Sequence, residues 1–218
     1  MIIDLLKKAG KLLPTNVQNQ LQLKKNRFNR YKMINAWEKA GKPVPPPHEI
    51  KQITIESYQQ RYHCNTLVET GTYTGKMVLM QKDNFPKIYS IEISPELWQS
   101  AVKKFASYSH IEILQGDSGK VLYDLVPKIQ SSAIFWLDGH YSAGITAKGE
   151  KNCPIYEEFD AILSNKDMDH IVLIDDARHF IGKNDYPTLQ ELNDYVSAKN
   201  PSYQMEVNDD IIRFTKEN

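Results

Sequence analysis

Two cysteines, Cys64 and Cys153, are all that 218 residues contain. They show neither metal-ligand spacing nor a disulfide framework. That excludes a stapled secreted scaffold and a thiolate zinc site, and it points to a reducing compartment. Long apolar runs are also missing: none approaches the ~20 residues of a membrane span, so no transmembrane segment is expected. The opening residues, MIIDLLKKAGKLLP, make a poor signal peptide. Asp4, Lys7 and Lys8 interrupt the apolar stretch, and no small-residue cleavage site follows. The expected location is cytoplasmic. The pattern G-x-G-x-x-G is absent too, which makes a dinucleotide pyrophosphate a poor fit.

Net charge is zero, but the charge is unevenly spread. Within residues 1–42, ten Lys and Arg stand against Asp4 and Glu38, a net +8 that the remainder balances with −8. A basic arm of this kind can meet a membrane, a nucleic acid or an acidic partner, or form a solvated helical face packed on its own domain or on a twin subunit. The second reading is preferred: a homodimer through the arm is the expected partnership, with no nucleic acid. Ile2, Ile3, Leu5, Leu6, Ala9, Leu12 and Leu13 fall on one helical stripe, and a polar helix is expected over 17–40. GKPVPPPHE at 41–49 then breaks the pattern, because its prolines cannot continue a helix. The chain reads as a helical arm with a Pro-rich linker, 1–45, and a domain, 46–218.

Beyond the break, apolar runs of strand length recur at 66–70, 87–93, 111–117, 133–139 and 170–177. They are rich in Ile, Val and aromatics and too continuously apolar for half-exposed strands. Helical stretches are expected between them, at 75–83, 95–106, 118–127, 154–165 and 187–199, the second capped by Ser94 with Pro95 in its first turn. YQMEV and IIRFT flank NDD near the end as an antiparallel hairpin. Strand–helix alternation predicts an α/β, doubly wound, Rossmann-like sheet of mostly parallel strands closed by that hairpin.

In such a sheet ligands bind beyond the carboxyl ends of the strands. Acids gather there: Glu69, Glu92, Asp117, Asp138, and the pair Asp175 and Asp176. Crowded carboxylates raise one another's pKa and cost stability, so a purely structural edge has no reason to collect them. Helix capping accounts for Asp117 and Glu69 better than for Asp138, Asp175 and Asp176. Gly71 and Gly75, in ETGTYTG, let a backbone approach a ligand closely. Glu92 suits two ribose hydroxyls, and Gly116–Asp117 an adenine amino group. The ligand suggested is an adenosine without phosphates that carries a positive group.

VETGTYTG, YSIEIS, LQGDS, FWLDGH and LIDDAR, in that order and spacing, resemble the motifs of class I S-adenosylmethionine-dependent methyltransferases. The resemblance covers about 60–218. It is strongest to the cation-dependent O-methyltransferases of the catechol and macrolide-sugar types. It implies a seven-stranded sheet, S-adenosyl-L-methionine as cofactor, and a cofactor site formed by Glu69, Thr70, Gly71, Thr72, Tyr73 and Gly75 with Glu92, Ile93, Gly116, Asp117, Ser118 and Asp138. It also implies a divalent metal, Mg²⁺ above others, on Asp138, Asp175 and Asp176, which suits a hard ion with few carboxylate ligands. The metal would orient a hydroxyl of a diol-bearing small molecule or sugar and lower its pKa. One departure from the catechol pattern is plain: where those enzymes carry a lysine, Tyr141 stands here, preceded by His140. Catalytic roles are assigned to His140, Asp138 and Tyr141. For His140, base, metal ligand and bystander stay equally open.

The glycine-containing stretch 141–152 has the length of a lid, and a plain surface excursion stays open beside that reading. Trp136 reads as core, and His179 as either site-facing or the start of the next loop. Two other functions compete. Asp-x-His at 138–140 and Asp175, Asp176, His179 would suit a metal-dependent hydrolase, but that leaves ETGTYTG and Glu92 unexplained. A non-catalytic nucleoside-binding module would keep the pocket and lose the turnover.

Overall fold

Successive residues of one strand pack to opposite faces of a sheet, and β4 (Ala133–Leu137) shows what that does here. Ala133, Phe135 and Leu137 join one apolar cluster, Ile134 and Trp136 the other, and all five are fully buried. The same division holds for Val68 against Leu67 in β1 (Thr66–Thr70), and for Val172 and Ile174 against Ile171 and Leu173 in β5 (Ile171–Ile174). Both faces of these strands are therefore covered, which is why the runs are continuously apolar. Trp136 is the largest fully buried side chain.

The computed structural model describes residues 28–139, 153–164 and 168–216. The chain divides between Ile50 and Lys51 into two compact units. The described part of the first holds helix α1 (28–39) and the proline-rich turn after it. There the Trp37 indole donates to the Pro43 carbonyl at 2.8 Å, and Lys42 lies over the ring. The expected helix at 1–13 and the start of that at 17–40 lie outside the described residues.

Helix α2 (His48–Tyr62) leads into the second unit. The order is then β1, α3 (Lys76–Gln81), β2 (Lys87–Glu92), α4 (Pro95–Phe105), β3 (Ile111–Gln115), α5 (Ser118–Leu125), β4, α6 (Ile155–Ile162), β5, α7 (Leu189–Lys199), β6 (Tyr203–Asn208) and β7 (Ile211–Lys216). The seven strands lie in the order β3-β2-β1-β4-β5-β7-β6. The first five are parallel, and β7 is antiparallel to β5 and β6. This is the expected doubly wound sheet with its hairpin. Asp209 and Asp210, both at positive φ, form the two-residue turn, as a twisted hairpin prefers.

Local chemistry sets the helix starts. Ser94 accepts from the Leu97 amide with Pro95 next to it, and Thr188 and Glu191 form a reciprocal capping box. Three expectations need correction. Helix α2 was not anticipated: its Ile and Thr residues make no clear amphipathic stripe, and only Glu49 in its first turn and Arg61 in its last mark it. Glu69 does not follow β1 but sits inside it, opposite Ser90 and Trp136. The strands also stop earlier than their apolar runs, β3 at Gln115 and β5 at Ile174.

Candidate active site

In the strand order 3-2-1-4-5, the chain reverses its direction of winding between β1 and β4, and the crevice at such a switch point is where open α/β sheets bind ligands. The turn after β1 is held there from both sides. Gly71 and Thr72 amides donate to the Ile91 carbonyl, and the Asp138 amide donates to the Thr70 carbonyl at 3.1 Å. Asp138 and Gly139 amides also reach the Thr70 hydroxyl. Gly71 adopts φ +84, and a Cβ there would come within 2.4 Å of the Asp138 carbonyl oxygen. Its glycine is thus demanded by the meeting of the β1 and β4 turns. Gly75, at φ +65, starts α3, and a Cβ there would strike the Phe105 ring.

Glu92 ends β2 and is buried. One of its oxygens accepts from the Tyr73 amide at 2.7 Å, the other from the Ser94 amide at 2.9 Å. Two fixed donors orient the carboxylate and leave each oxygen a further lone pair. Tyr73 is half-exposed at φ +48, and Ile93 is partly buried. Glu69 is buried one layer below. The Ser90 hydroxyl donates to it at 2.5 Å and in turn lies 2.6 Å from the Thr72 hydroxyl. Burial pushes the Glu69 carboxyl up to about 8, and the Glu92 charge adds to the shift against the pull of Ser90.

Asp117 caps α5 by accepting from the Gly119 amide at 3.0 Å. Gly116 at φ +144 donates to the Glu92 carbonyl, which sets the β3 turn beside the β2 end. Ser118 is buried in the first turn of α5. Close to it stands Glu158 of α6, which the sequence motifs did not single out. It is fully buried, and its oxygens make no hydrogen bond of ordinary geometry. Burial pushes it up to about 7, against the pull of the neighbouring Ser118 and Thr70 hydroxyls.

On the other side of the switch point, Asp138, Asp175 and Asp176 converge. One oxygen from each lies within 4.8 Å of the others. The Asp175 amide donates to the Leu137 carbonyl, which ties the end of β5 to that of β4. Asp176 takes φ +58, and its amide donates to the Asp175 Oδ1 at 2.8 Å. Asp138 is the exposed member of the three. The surrounding protein mass and the charges of Asp175 and Asp176 push its carboxyl well above the usual range. Burial also raises Asp175, to about 6. Burial works the same way on Asp176, but Lys51 and Arg178 outweigh it and hold this carboxyl below the usual range.

Among the described residues two cations serve this cluster: Arg178, at the end of the motif LIDDAR, and Lys51, which belongs to no motif. Arg178 donates to Asp176 at 2.8 Å and is ion-paired with Asp210 in the hairpin turn. Lys51, on the first turns of α2, is ion-paired with Asp175 and lies 3.6 Å from Asp176. Its burial disfavours the charge, but the three aspartates overcome this and raise its pKa, so it stays an ammonium. No pattern marks Lys51, because it precedes the first motif; only proximity in the fold reveals it.

His140 and Tyr141, and the stretch 141–152, lie outside the described residues. His179 ends a 3-10 turn at Ala177–His179, is exposed, and lies near Tyr186 with ring centroids 5.8 Å apart.

The donor set tests well against the groups the sequence implies. Three carboxylates and no sulfur or imidazole among the described residues suit a hard divalent ion. Glu69, buried with no compensating cation among the described residues, and the two-oxygen Glu92 suit a ligand bearing an ammonium and a ribose.

No protein-family model matches the chain, and no curated protein matches it by sequence. Solved structures do match it in shape. A putative caffeoyl-CoA O-methyltransferase from Staphylococcus aureus aligns over 94% of this chain and 100% of its own, with TM-score 0.55 and 14% identity. An O-methyltransferase from Bacillus cereus in complex with SAH aligns over 86% and 90%, with TM-score 0.57 and 12% identity. The O-methyltransferase TomG from Streptomyces achromogenes, in complex with SAM, aligns over 86% and 89%, with TM-score 0.54 and 14% identity. At these identities the likeness is one of fold: the sheet is Rossmann-like, as in these methyltransferases. Among the described residues, no helix is long and apolar enough to cross a membrane.

Proposed function

We propose that the protein transfers a methyl group from S-adenosylmethionine to a hydroxyl oxygen of a diol-bearing small molecule or sugar, with assistance from a divalent metal. One observation carries this reading. The switch point between β1 and β4 has the oriented carboxylate of Glu92 on one side and the convergent Asp138, Asp175 and Asp176 on the other. On this reading a nucleoside site and an acidic site share one crevice. The SAM- and SAH-bound O-methyltransferases of like fold support the same reading.

When bound, S-adenosylmethionine supplies an electrophilic methyl, and a divalent ion supplies a positive charge that favours the ionised hydroxyl. The chain's own residues do the rest. Glu92 accepts the ribose hydroxyls with lone pairs that the Tyr73 and Ser94 amides leave free. Glu69 receives the methionine ammonium, which stabilises its ionised form against burial. Thr70 fixes the turn carrying Asp138, so the two halves of the site keep their spacing. Asp138, Asp175 and Asp176 hold the ion, and the acceptor oxygen approaches over Asp138, the open member of the three. Of the roles open to His140, this reading takes that of the base receiving the hydroxyl proton. Residues 1–45 are assigned to self-association or acceptor access.

The test is turnover: release of S-adenosylhomocysteine from S-adenosylmethionine over a panel of catechols and sugar diols. Turnover that stops with a chelator, returns with Mg²⁺ and is abolished by Asp175→Ala supports the reading. Turnover that survives both treatments leaves methyl transfer without a metal.

A further inference from the structure

The acidic cluster is not short of a cation. The Lys51 ammonium pairs with Asp175, lies 3.6 Å from Asp176, and is felt by Asp138, so it addresses all three carboxylates. On Asp175 the division of labour is specific. Oδ1 accepts the Asp176 amide, and Oδ2 is the oxygen held by Lys51. A divalent ion drawing on the same cluster would sit beside a positive nitrogen bonded to the same carboxylate, where like charges repel at close range. Lysine is suited to leaving. Its charge is a point on a flexible four-carbon stem, and the side chain here keeps 16% exposure, which gives it a way out to solvent. Arg178 differs, since it is anchored a second time by Asp210.

We infer that Lys51 is a tethered cation that fills the carboxylate site of the metal-free protein and must withdraw for a divalent ion to enter. It thereby sets a threshold for metal binding and offsets part of the charge of the three acids. The inference rests on the reading of Asp138, Asp175 and Asp176 as metal ligands.

The experiment is calorimetric titration of MnCl₂ into the full-length wild type, Lys51→Met and Lys51→Arg, with S-adenosylhomocysteine titrated in parallel. Lys51→Met removes the competitor and should bind Mn²⁺ about tenfold or more tightly than wild type, the size expected when a charge-assisted hydrogen bond no longer has to be broken. Lys51→Arg keeps a cation in place and should bind no more tightly than wild type. If Lys51→Met is too unstable to titrate, the wild type alone decides. Acylation of the Lys51 amine, read by peptide mass spectrometry, should rise as Mn²⁺ saturates. Equal Mn²⁺ affinity in wild type and Lys51→Met, or unchanged Lys51 labelling, overturns the inference. Normal S-adenosylhomocysteine binding beside that result leaves the methyltransferase reading standing. Tighter Mn²⁺ binding in Lys51→Met with no S-adenosylhomocysteine binding sinks the reading and keeps the exchange of cations.

Discussion

Arg178 and Asp210 join the end of β5 to the turn between β6 and β7. The Arg178 amide donates to Asp210 Oδ1 at 2.8 Å, its guanidinium pairs with Asp210 Oδ2, and the same nitrogen reaches Asp176 at 2.8 Å. The hairpin therefore braces one of the three clustered acids. Asp210→Asn keeps a residue that tolerates the left-handed turn but removes the charge. It should cost about 1.5–3 kcal/mol, the worth of a hydrogen bond to a charged partner. Urea unfolding checks this, and an unchanged midpoint contradicts it.

Gly71 and Gly41 have nearly the same φ, +84 and +83, and opposite surroundings. A Cβ on Gly41 meets nothing within 4 Å, whereas on Gly71 it meets the Asp138 backbone at 2.4 Å. Gly41→Ala should cost only the left-handed strain, about 1–2 kcal/mol. Gly71→Ala adds a collision with a backbone that cannot yield, and should lower the melting temperature much further or prevent folding. Equal effects in a thermal melt would show that the β1 and β4 turns are not tightly joined.

His170 carries a pH dependence remote from the site. Its Nδ1 accepts from the Ala133 amide, its Nε2 is buried without a partner, and burial, aided by Lys216, pushes its pKa down to about 4. The unfolded chain protonates near 6.5, so this histidine's contribution is whole above that value. It is lost as pH falls towards 4, by up to about 3 kcal/mol. Glu69 and Glu158 are shifted upward and act in the opposite sense, favouring the fold as pH falls. The comparison is therefore between wild type and His170→Gln. The variant should lose less stability between pH 6.5 and 4, and parallel stability profiles would contradict this.

Most of the sheet was legible in the sequence, because strands buried on both faces leave unmistakable runs. AIFWL places Phe135 and Trp136 on opposite faces without any knowledge of the fold. The hairpin was legible from its turn residues. Helix α2 was not, for want of a stripe, and with it went Lys51. The acids at Asp138, Asp175 and Asp176 were legible as strand ends. Of their cations, Arg178 stands two residues from Asp176 within LIDDAR, but Lys51 was not legible, because it meets Asp175 across 124 positions of sequence. Glu158 was hidden for another reason: a helix-borne glutamate looks like surface until packing buries it.

Glu69 is where stability and binding pull apart. A carboxyl pushed up to about 8 makes the fold less stable as pH rises from its ordinary value, 4.5, towards 8, because the unfolded chain ionises first. Glu69→Gln removes that penalty and should gain roughly 1–3 kcal/mol at pH 8. It also removes the charge proposed to receive the ammonium, so S-adenosylhomocysteine should bind more weakly. A melt and a titration at one pH read both effects. Lower stability with unchanged affinity would contradict both roles.

The central claim is that the crevice between β1 and β4 holds the adenosyl cofactor through Glu92 and that the acids across it serve another purpose. The direct measurement is calorimetric titration of S-adenosylhomocysteine into wild type, Glu92→Ala and Asp175→Ala. The account predicts saturable binding to one site. Glu92→Ala should weaken it by about tenfold or more, the loss of a charge-assisted acceptor, and Asp175→Ala should leave it close to wild type. No saturable binding, or a Glu92→Ala protein that binds as tightly as wild type, would contradict it.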